Sequence, residues 1–369
     1  MTALKGVVDQ SGFVALTTGN LLMLCVSFVL LYLAIAKDFE PLLLMPIAFG
    51  CLLVNLPLSG IIDEGGFLYY VMFGINHEIY PIIIFMGIGA LTDFGPLLAN
   101  PVTFLLGAAA QLGVFVAVIG AMLMGFTIQE DAGIGIIGGA DGPTAIYLCA
   151  KLAPAILPAV AVAAYSYMSL VPLIQPPVIR LLTTKADRSI KMEQLRPVSR
   201  TERILFPIVS TLACGLVLPA AVPLIGMLMF GNLMRECGCT ERLSLAAQNE
   251  VLNATTIFLG ISVGATMSAE TFLTIATIKI ICLGLVAFIF STAGGVVFGQ
   301  VMKVLSGGRI NPIIGAAGVS AVPMAARVCQ KVVSKEFPGQ YILMHAMGPN
   351  VAGVIGTAVA AGAMLTLLK

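Results

Sequence analysis

The chain has 369 residues, of which 59% are hydrophobic and only 10% charged, and its net charge is +1. Soluble domains run near 25% charged, and a core of this size cannot bury so much apolar surface beneath so thin a coat of charge. Composition therefore excludes an ordinary water-soluble globule, and the near-neutral balance gives no electrostatic footprint for nucleic acid.

About 20 consecutive apolar residues suffice to span a bilayer as a helix. Spans are predicted at Asn20–Ala36, Pro41–Leu58, Tyr80–Leu98, Pro101–Phe126, Leu152–Leu182, Ile204–Phe230, Val251–Met267, Phe272–Leu305 and Tyr341–Leu368. Met1–Asn20 has one Lys and no clean apolar core, so it does not read as a cleaved signal peptide, and the first span is expected to act as the insertion signal. Two further stretches, Gly133–Lys151 and Ile310–Val333, are too rich in Gly and Pro for continuous helices and are expected to be interrupted.

The polar segment Arg180–Arg203 carries seven of the nineteen basic residues, which by the positive-inside rule places it in the cytoplasm. It divides the chain into an N-terminal membrane repeat (residues 1–182), a basic cytoplasmic linker (183–203) and a C-terminal membrane repeat (204–369). Between Lys37 and Lys151 there is no Lys or Arg, so some loops of that region are expected outside. The halves look related. Ile136-Ile137-Gly138-Gly139-Ala140 matches Ile313-Ile314-Gly315-Ala316-Ala317, and Cys149-Ala150-Lys151 matches Cys329-Gln330-Lys331 after a shift of three residues. Interrupted helices at equivalent places in two halves are the best sequence pointer to a transporter's binding site.

The first break formally contains Gly133-x-Gly135-x-x-Gly138, but a dinucleotide site needs a preceding strand and a downstream acid, and residue 158 is Pro with no acid nearby. The glycines are better read as unwinding a membrane helix. Asp141 lies within this break, with no basic residue inside nine positions on either side. A carboxylate at mid-bilayer costs at least about 2.5 kcal/mol. Either burial keeps it protonated or it serves a cation or proton site, the reading taken here. The second break brings Asn311, Gly315 and Ser320; amide, hydroxyl and freed carbonyl oxygens suit a hard monovalent cation, by analogy with calcium and magnesium sites. The bland alternative is hydrogen bonding between helices.

Arg327 follows Pro323 and, with no local acid, calls for an anion such as a substrate carboxylate, unless it snorkels to the cytoplasmic interface. Tyr165 and Tyr167 lie deep in a long helix, where a phenol needs a partner; Tyr167 could relay a proton. In the last helix Asn350, just after Pro349, is a better ligand candidate than His345. Gly295-x-x-x-Gly299 reads as a packing surface. Of the eight cysteines only Cys237 and Cys239 lie close together, and without a nearby His they do not make a zinc site.

Taken together, Gly138-Gly139-Ala140-Asp141-Gly142-Pro143, Tyr165 through Pro172, Asn311 through Pro323, Arg327 and Met344 through Asn350 resemble the beta subunits of the sodium-pumping, biotin-dependent decarboxylases, over essentially the whole chain. The resemblance implies an all-α polytopic membrane protein of two inverted-topology repeats, with broken helices or re-entrant hairpins and an elevator-type, transporter-like core. It implies decarboxylation of carboxybiotin coupled to sodium export. Asp141, Tyr167, Ser320 and Arg327 would be catalytic, Arg327 would hold the carboxybiotin, and Asp141, Asn311, Gly315, Ser320 and Asn350 would hold the sodium ion. Implied partners are an alpha carboxyltransferase subunit, a biotin carrier subunit that supplies the carboxybiotin, a small membrane gamma or delta subunit, and further copies of this chain, as a trimer, in the bacterial inner membrane. The amino terminus is short beside the oxaloacetate branch, which favours a CoA-ester branch. The chief alternative is a sodium-coupled secondary transporter of a small solute; a non-catalytic anchor is disfavoured because it has no use for a buried Asp141.

Overall fold

The computed structural model describes residues 11–368, so the first half of the segment Met1–Asn20 lies outside the described residues. Helices account for all of its regular structure, and no strand occurs among the described residues. Helix α1 (Thr18–Ala36) opens with a capping box, in which Thr17 Oγ1 accepts from the Asn20 amide and the Asn20 side chain accepts from the Thr17 amide. Helix α2 (Pro41–Val54) begins on a proline, whose missing N–H costs nothing in a first turn. Then come α3 (Phe67–Asn76), α4 (Ile79–Leu91), α5 (Phe104–Ala110), α6 (Leu112–Leu123), α7 (Ile128–Gly135), α8 (Gly142–Leu152) and α9 (Leu157–Leu182). Beyond the linker lie α10 (Arg200–Val217), α11 (Val222–Glu236), α12 (Leu252–Ala265), α13 (Ile275–Leu305), α14 (Met324–Glu336) and α15 (Leu343–Leu368).

Among the described residues five stretches are long and apolar enough to cross a membrane, six if α3 and α4, bent by 65° at Glu78, count as one broken span. Large apolar side chains stay exposed along these helices, among them Phe28 and Tyr32 on α1, Phe115 and Ile119 on α6, and Ile278 and Phe290 on α13. Such continuous apolar surface demands lipid, and the chain is a multi-pass membrane protein.

Four of the predicted spans are corrected. Pro41–Leu58 and Val251–Met267 are helices of 14 residues each, Pro41–Val54 and Leu252–Ala265, shorter than the roughly 20 residues a straight crossing needs. Ile204–Phe230 is not one span: the chain turns at Leu218-Pro219 and α10 packs beside α11. Pro219 and Pro223 occupy first-turn positions of new helical segments, and a proline ends the helix before it. The span Tyr80–Leu98 ends at Leu91, and Gly95–Ala99 forms a separate short helix. Helix α3 falls outside the predicted spans.

Packing is paired across the two halves. Helix α2 lies on α12 and α4 lies on α11, flanked by α1 and α10 respectively. Both crossings are made by glycines. A Cβ on Gly50 would stand 2.3 Å from the Ile261 carbonyl oxygen, and one on Gly264 2.1 Å from that of Ile47. In the other pair Gly89 would meet Leu228 at 1.8 Å and Gly231 would meet Met86 at 1.9 Å. Small residues let membrane helices approach this closely.

The linker is tied down rather than loose. Lys303 Nζ donates to Asp187 Oδ1 at 2.5 Å and Gln300 Nε2 to its Oδ2 at 3.0 Å, while Arg188 Nε donates to Glu336 at 2.7 Å. Burial alone would raise the Asp187 carboxyl, but hydrogen bonds from Lys303, Gln300 and Thr184 outweigh it and hold the group well below the usual carboxylate range.

Candidate functional site

Both interrupted segments are broken helices. In the first, α7 tightens into a 3-10 turn (Ile136–Gly139), and Ala140 then takes a left-handed conformation, φ 56°. That turn places Asp141 as the N-cap of α8, where its Oδ1 accepts from the Thr144 amide at 3.1 Å. In the second, a 3-10 segment (Pro312–Gly318) passes through extended Val319 and a bend and turn before α14. The two breaks touch: the Ser320 amide donates to the Gly139 carbonyl at 2.9 Å.

A cavity of about 410 Å³ opens at this junction, within the size range of small-molecule sites. Asp141, Ser320 and Arg327 all line it, with Thr92, Met168 and Met347 among its walls. Ser320 Oγ lies 2.6 Å from Thr357 Oγ1, which also donates to the Gly353 carbonyl. No carboxylate pairs with Arg327 among the described residues, and its exposed side chain reaches from solvent to the cavity. An unpaired guanidinium beside the cavity is suited to an incoming carboxylate. Among the described residues no three His, Cys, Asp or Glu side chains gather, so this is one carboxylate amid neutral oxygens.

The other expected site residues stand behind the cavity wall. Asn350 Nδ2 donates to the Ala317 and Val319 carbonyls at 3.0 and 2.7 Å, and its Oδ1 is buried with no hydrogen-bond partner. Asn311 Nδ2 donates to the carbonyls of Arg188 and Ile190 in the linker, and its Oδ1 accepts from the Ile313 amide. Gly315 packs backbone to backbone on Gly295 of α13, each blocking a Cβ on the other at 2.0 Å. The Tyr167 hydroxyl donates to the Ile281 carbonyl on α13, away from the cavity. Tyr165 is the phenol beside Asp141: its ring lies against Gly142 and its buried hydroxyl is unpartnered.

Several polar residues here are not signalled by the sequence. Gln175 of α9 donates to the Ala316 carbonyl at 2.8 Å, and its Oε1 is buried and unpartnered. Gln111, at the joint between α5 and α6, stands 3.4 Å from Thr357. The spacing of Gln175 from Asp141 carries no pattern; the only available cue is that an amide deep in an apolar helix needs a reason.

Two broken helices meeting at a buried carboxylate and an unpaired arginine are the features expected of a membrane protein that handles ions. The family model for the Na+-transporting oxaloacetate decarboxylase beta subunit matches residues 19–368. The glutaconyl-CoA decarboxylase beta subunit of Acidaminococcus fermentans is 62% identical over 368 residues, covering 100% of this chain and 98% of that protein. The methylmalonyl-CoA decarboxylase beta subunit of Veillonella parvula is 63% identical over 367 residues, covering 100% and 98%. The oxaloacetate decarboxylase beta chain of Klebsiella pneumoniae is 50% identical over an alignment of 427 positions, covering 99% of each. The chain belongs to this family of decarboxylase beta subunits.

Proposed function

We propose that this chain is the membrane subunit of a sodium-translocating decarboxylase, which decarboxylates carboxybiotin delivered on a separate carrier protein and exports sodium. One observation carries the reading: Asp141, Ser320 and Arg327, drawn from both broken helices, face a single cavity. A plain secondary transporter is not favoured, because the matched relatives are decarboxylase subunits.

Arg327 receives the carboxylate of carboxybiotin through paired N–H···O bonds. Loss of carbon dioxide from the ring nitrogen leaves that nitrogen to take up one proton, so turnover consumes a proton at the cavity. Asp141 exchanges a proton for sodium and so links the two events. The Ser320 hydroxyl, 2.6 Å from Thr357, passes the proton inward. Tyr167 joins this relay in a conformation where its hydroxyl has left the Ile281 carbonyl. Sodium is held by Asp141 with Ser320, and the amide oxygen of Asn350 completes the oxygen set from behind the second break; Asn311 and Gly315 hold that break in shape. Moving one sodium ion outward against 100 mV costs about 2.3 kcal/mol, and decarboxylation supplies it.

The paired crossings α2–α12 and α4–α11 support two inverted repeats, residues 1–182 and 204–369, joined by the linker 183–203. The broken helices then form the core that moves, elevator-like, against those pairs. The complex has alpha carboxyltransferase and biotin carrier subunits, with a small gamma or delta membrane subunit and a trimer of this chain in the bacterial inner membrane. Identities of 62% and 63% to CoA-ester decarboxylase subunits, against 50% to an oxaloacetate one, favour a CoA ester as parent substrate.

The test is carbon dioxide release from the carboxybiotin carrier in proteoliposomes holding the partner subunits, with and without sodium. Sodium-dependent release with sodium uptake, both lost in Asp141→Asn, is the expected result. Sodium-independent decarboxylation at full rate in Asp141→Asn sinks the coupling, and no release at all from the assembled complex sinks the reading.

A further inference from the structure

The turn after α11 reads Cys237-Gly238-Cys239-Thr240 and is not used by the site above. Its two sulfurs are neighbours: the Cys239 thiol donates to Cys237 Sγ at 3.4 Å. Cys239 is exposed and Cys237 half-buried. Cys237 Sγ also stands 3.1 Å from Thr240 Oγ1. Gly238 between them has φ 71°, a left-handed conformation that leaves the backbone free to tighten. The Arg200 guanidinium reaches in from α10 and donates to the Cys237 carbonyl at 2.7 Å. Of the acids flanking the turn, Glu236 pairs with Arg203 and Arg235, and Glu241 lines a surface pocket at the turn together with Cys239, Thr240 and Arg242.

We propose that Cys237 and Cys239 are a reactive dithiol that closes to an intrachain disulfide by exchange with small-molecule disulfides, Cys237 attacking and Cys239 resolving. The chemistry balances. The Cys237 thiolate attacks one sulfur of the external disulfide and expels the other half as a thiolate. Cys239 then loses its proton and attacks the Cys237 sulfur, expelling the second half. One external disulfide becomes two thiols and two protein thiols become one disulfide. The sulfurs must close from 3.4 Å to about 2.05 Å, a movement within one glycine-hinged turn.

The assignment of roles follows from the hydrogen bonds. As a thiol Cys237 donates to the Met234 carbonyl at 3.5 Å, which also accepts from the Thr240 hydroxyl at 2.9 Å. Once that hydroxyl turns to the sulfur, Thr240, then the Cys239 backbone and thiol, stabilise negative charge on Cys237 and pull its thiol down to about 7, whereas Cys239 is pushed up by its neighbour. The thiolate is the nucleophile. The turn shares a face with the basic linker, since Arg200 joins them. In a reducing cytoplasm a dithiol of this kind serves sensing rather than structure. Closing the ring displaces the carbonyl that anchors Arg200, the first residue of α10. The segment Arg196–Val198 just before it walls a second cavity, of about 560 Å³, with Asp93 and His345.

The experiment exposes the purified full-length protein in detergent to oxidised glutathione at neutral pH, quenches with acid, and follows the tryptic peptide Glu236–Arg242 by mass spectrometry. The wild-type peptide is expected to lose two hydrogens without an adduct. Cys239→Ser is expected to trap a glutathione adduct on Cys237, and Cys237→Ser to react at Cys239 at least tenfold more slowly. A wild-type peptide that stays a dithiol, or that reacts no faster than in the denatured protein, overturns the proposal, as does equal reactivity of the two variants.

Discussion

Gly315→Ala tests the seam between the second broken helix and α13 most directly. The Cβ it introduces would stand 2.0 Å from the Gly295 carbonyl oxygen. Ordinary van der Waals contact begins near 3.4 Å, so the backbones must part by about 1.4 Å. Both surfaces are main chain, and no side-chain rotamer can relieve the clash. The same seam is close at Gly299, where a Cβ would meet the Pro312 oxygen at 2.5 Å, so parting it strips contacts along the whole 3-10 segment. Overpacking typically costs 1–3 kcal/mol, and with no route of relief a cost of about 3 kcal/mol is expected, roughly 4 °C in Tm for a chain of this length. The sequence has no Trp, so the assay is thermal unfolding in detergent by far-ultraviolet circular dichroism. Gly226→Ala is the control. Its Cβ meets nothing closer than 3.8 Å and it lies inside α11, where alanine gains up to about 1 kcal/mol over glycine. Gly315→Ala melting with the wild type, or alongside Gly226→Ala, would refute the steric reasoning.

Asn350→Ala strips hydrogen bonds from the buried Ala317 and Val319 carbonyls and is expected to cost about 2–6 kcal/mol, at about 1–3 per orphaned group. The sodium concentration for half-maximal turnover should rise with it, and a Tm loss without that rise confines Asn350 to scaffolding. Asp187 is held below its ordinary range, so its contribution is complete above the unfolded value of about 4 and is lost as pH falls through the folded one. The Tm gap between wild type and Asp187→Asn should therefore be flat from neutral pH down to about 5 and shrink below about 4; a gap that widens in acid contradicts the ion pair. Tyr167→Phe removes one hydrogen bond to Ile281, worth about 1 kcal/mol. A proton relay requires turnover to fall far more than that stability loss implies, which paired melting and carbon dioxide assays read directly.

The residues legible in the sequence were those whose cost demanded a function. Asp141 stood out as a lone carboxylate among apolar residues, and Arg327 as a cation without an acid; the structure puts both on one cavity with Ser320. The breaks were legible because Gly and Pro interrupt a membrane helix for few other reasons. Gln175 was not, since one amide in an apolar run looks the same whether it packs or supports the second break. The turn at Leu218-Pro219 was lost in unbroken hydrophobicity, where only the paired prolines mark a reversal. Tyr165 and Tyr167, two residues apart on one helix, face different neighbours, and helical phase alone could not say which phenol meets Asp141.

The hydrogen bond from Ser320 to Gly139 also bears on how the protein is made. Its partners are 181 residues apart, so the first break is synthesised long before the segment that satisfies it. At about 5–20 residues per second the interval is roughly 10–40 s. Through that time the Asp141 carboxyl has its local partner, the Thr144 amide, but the Gly139 carbonyl must be satisfied by water or a temporary donor. The half-made chain therefore carries an unclosed backbone acceptor inside its first broken helix until the second arrives.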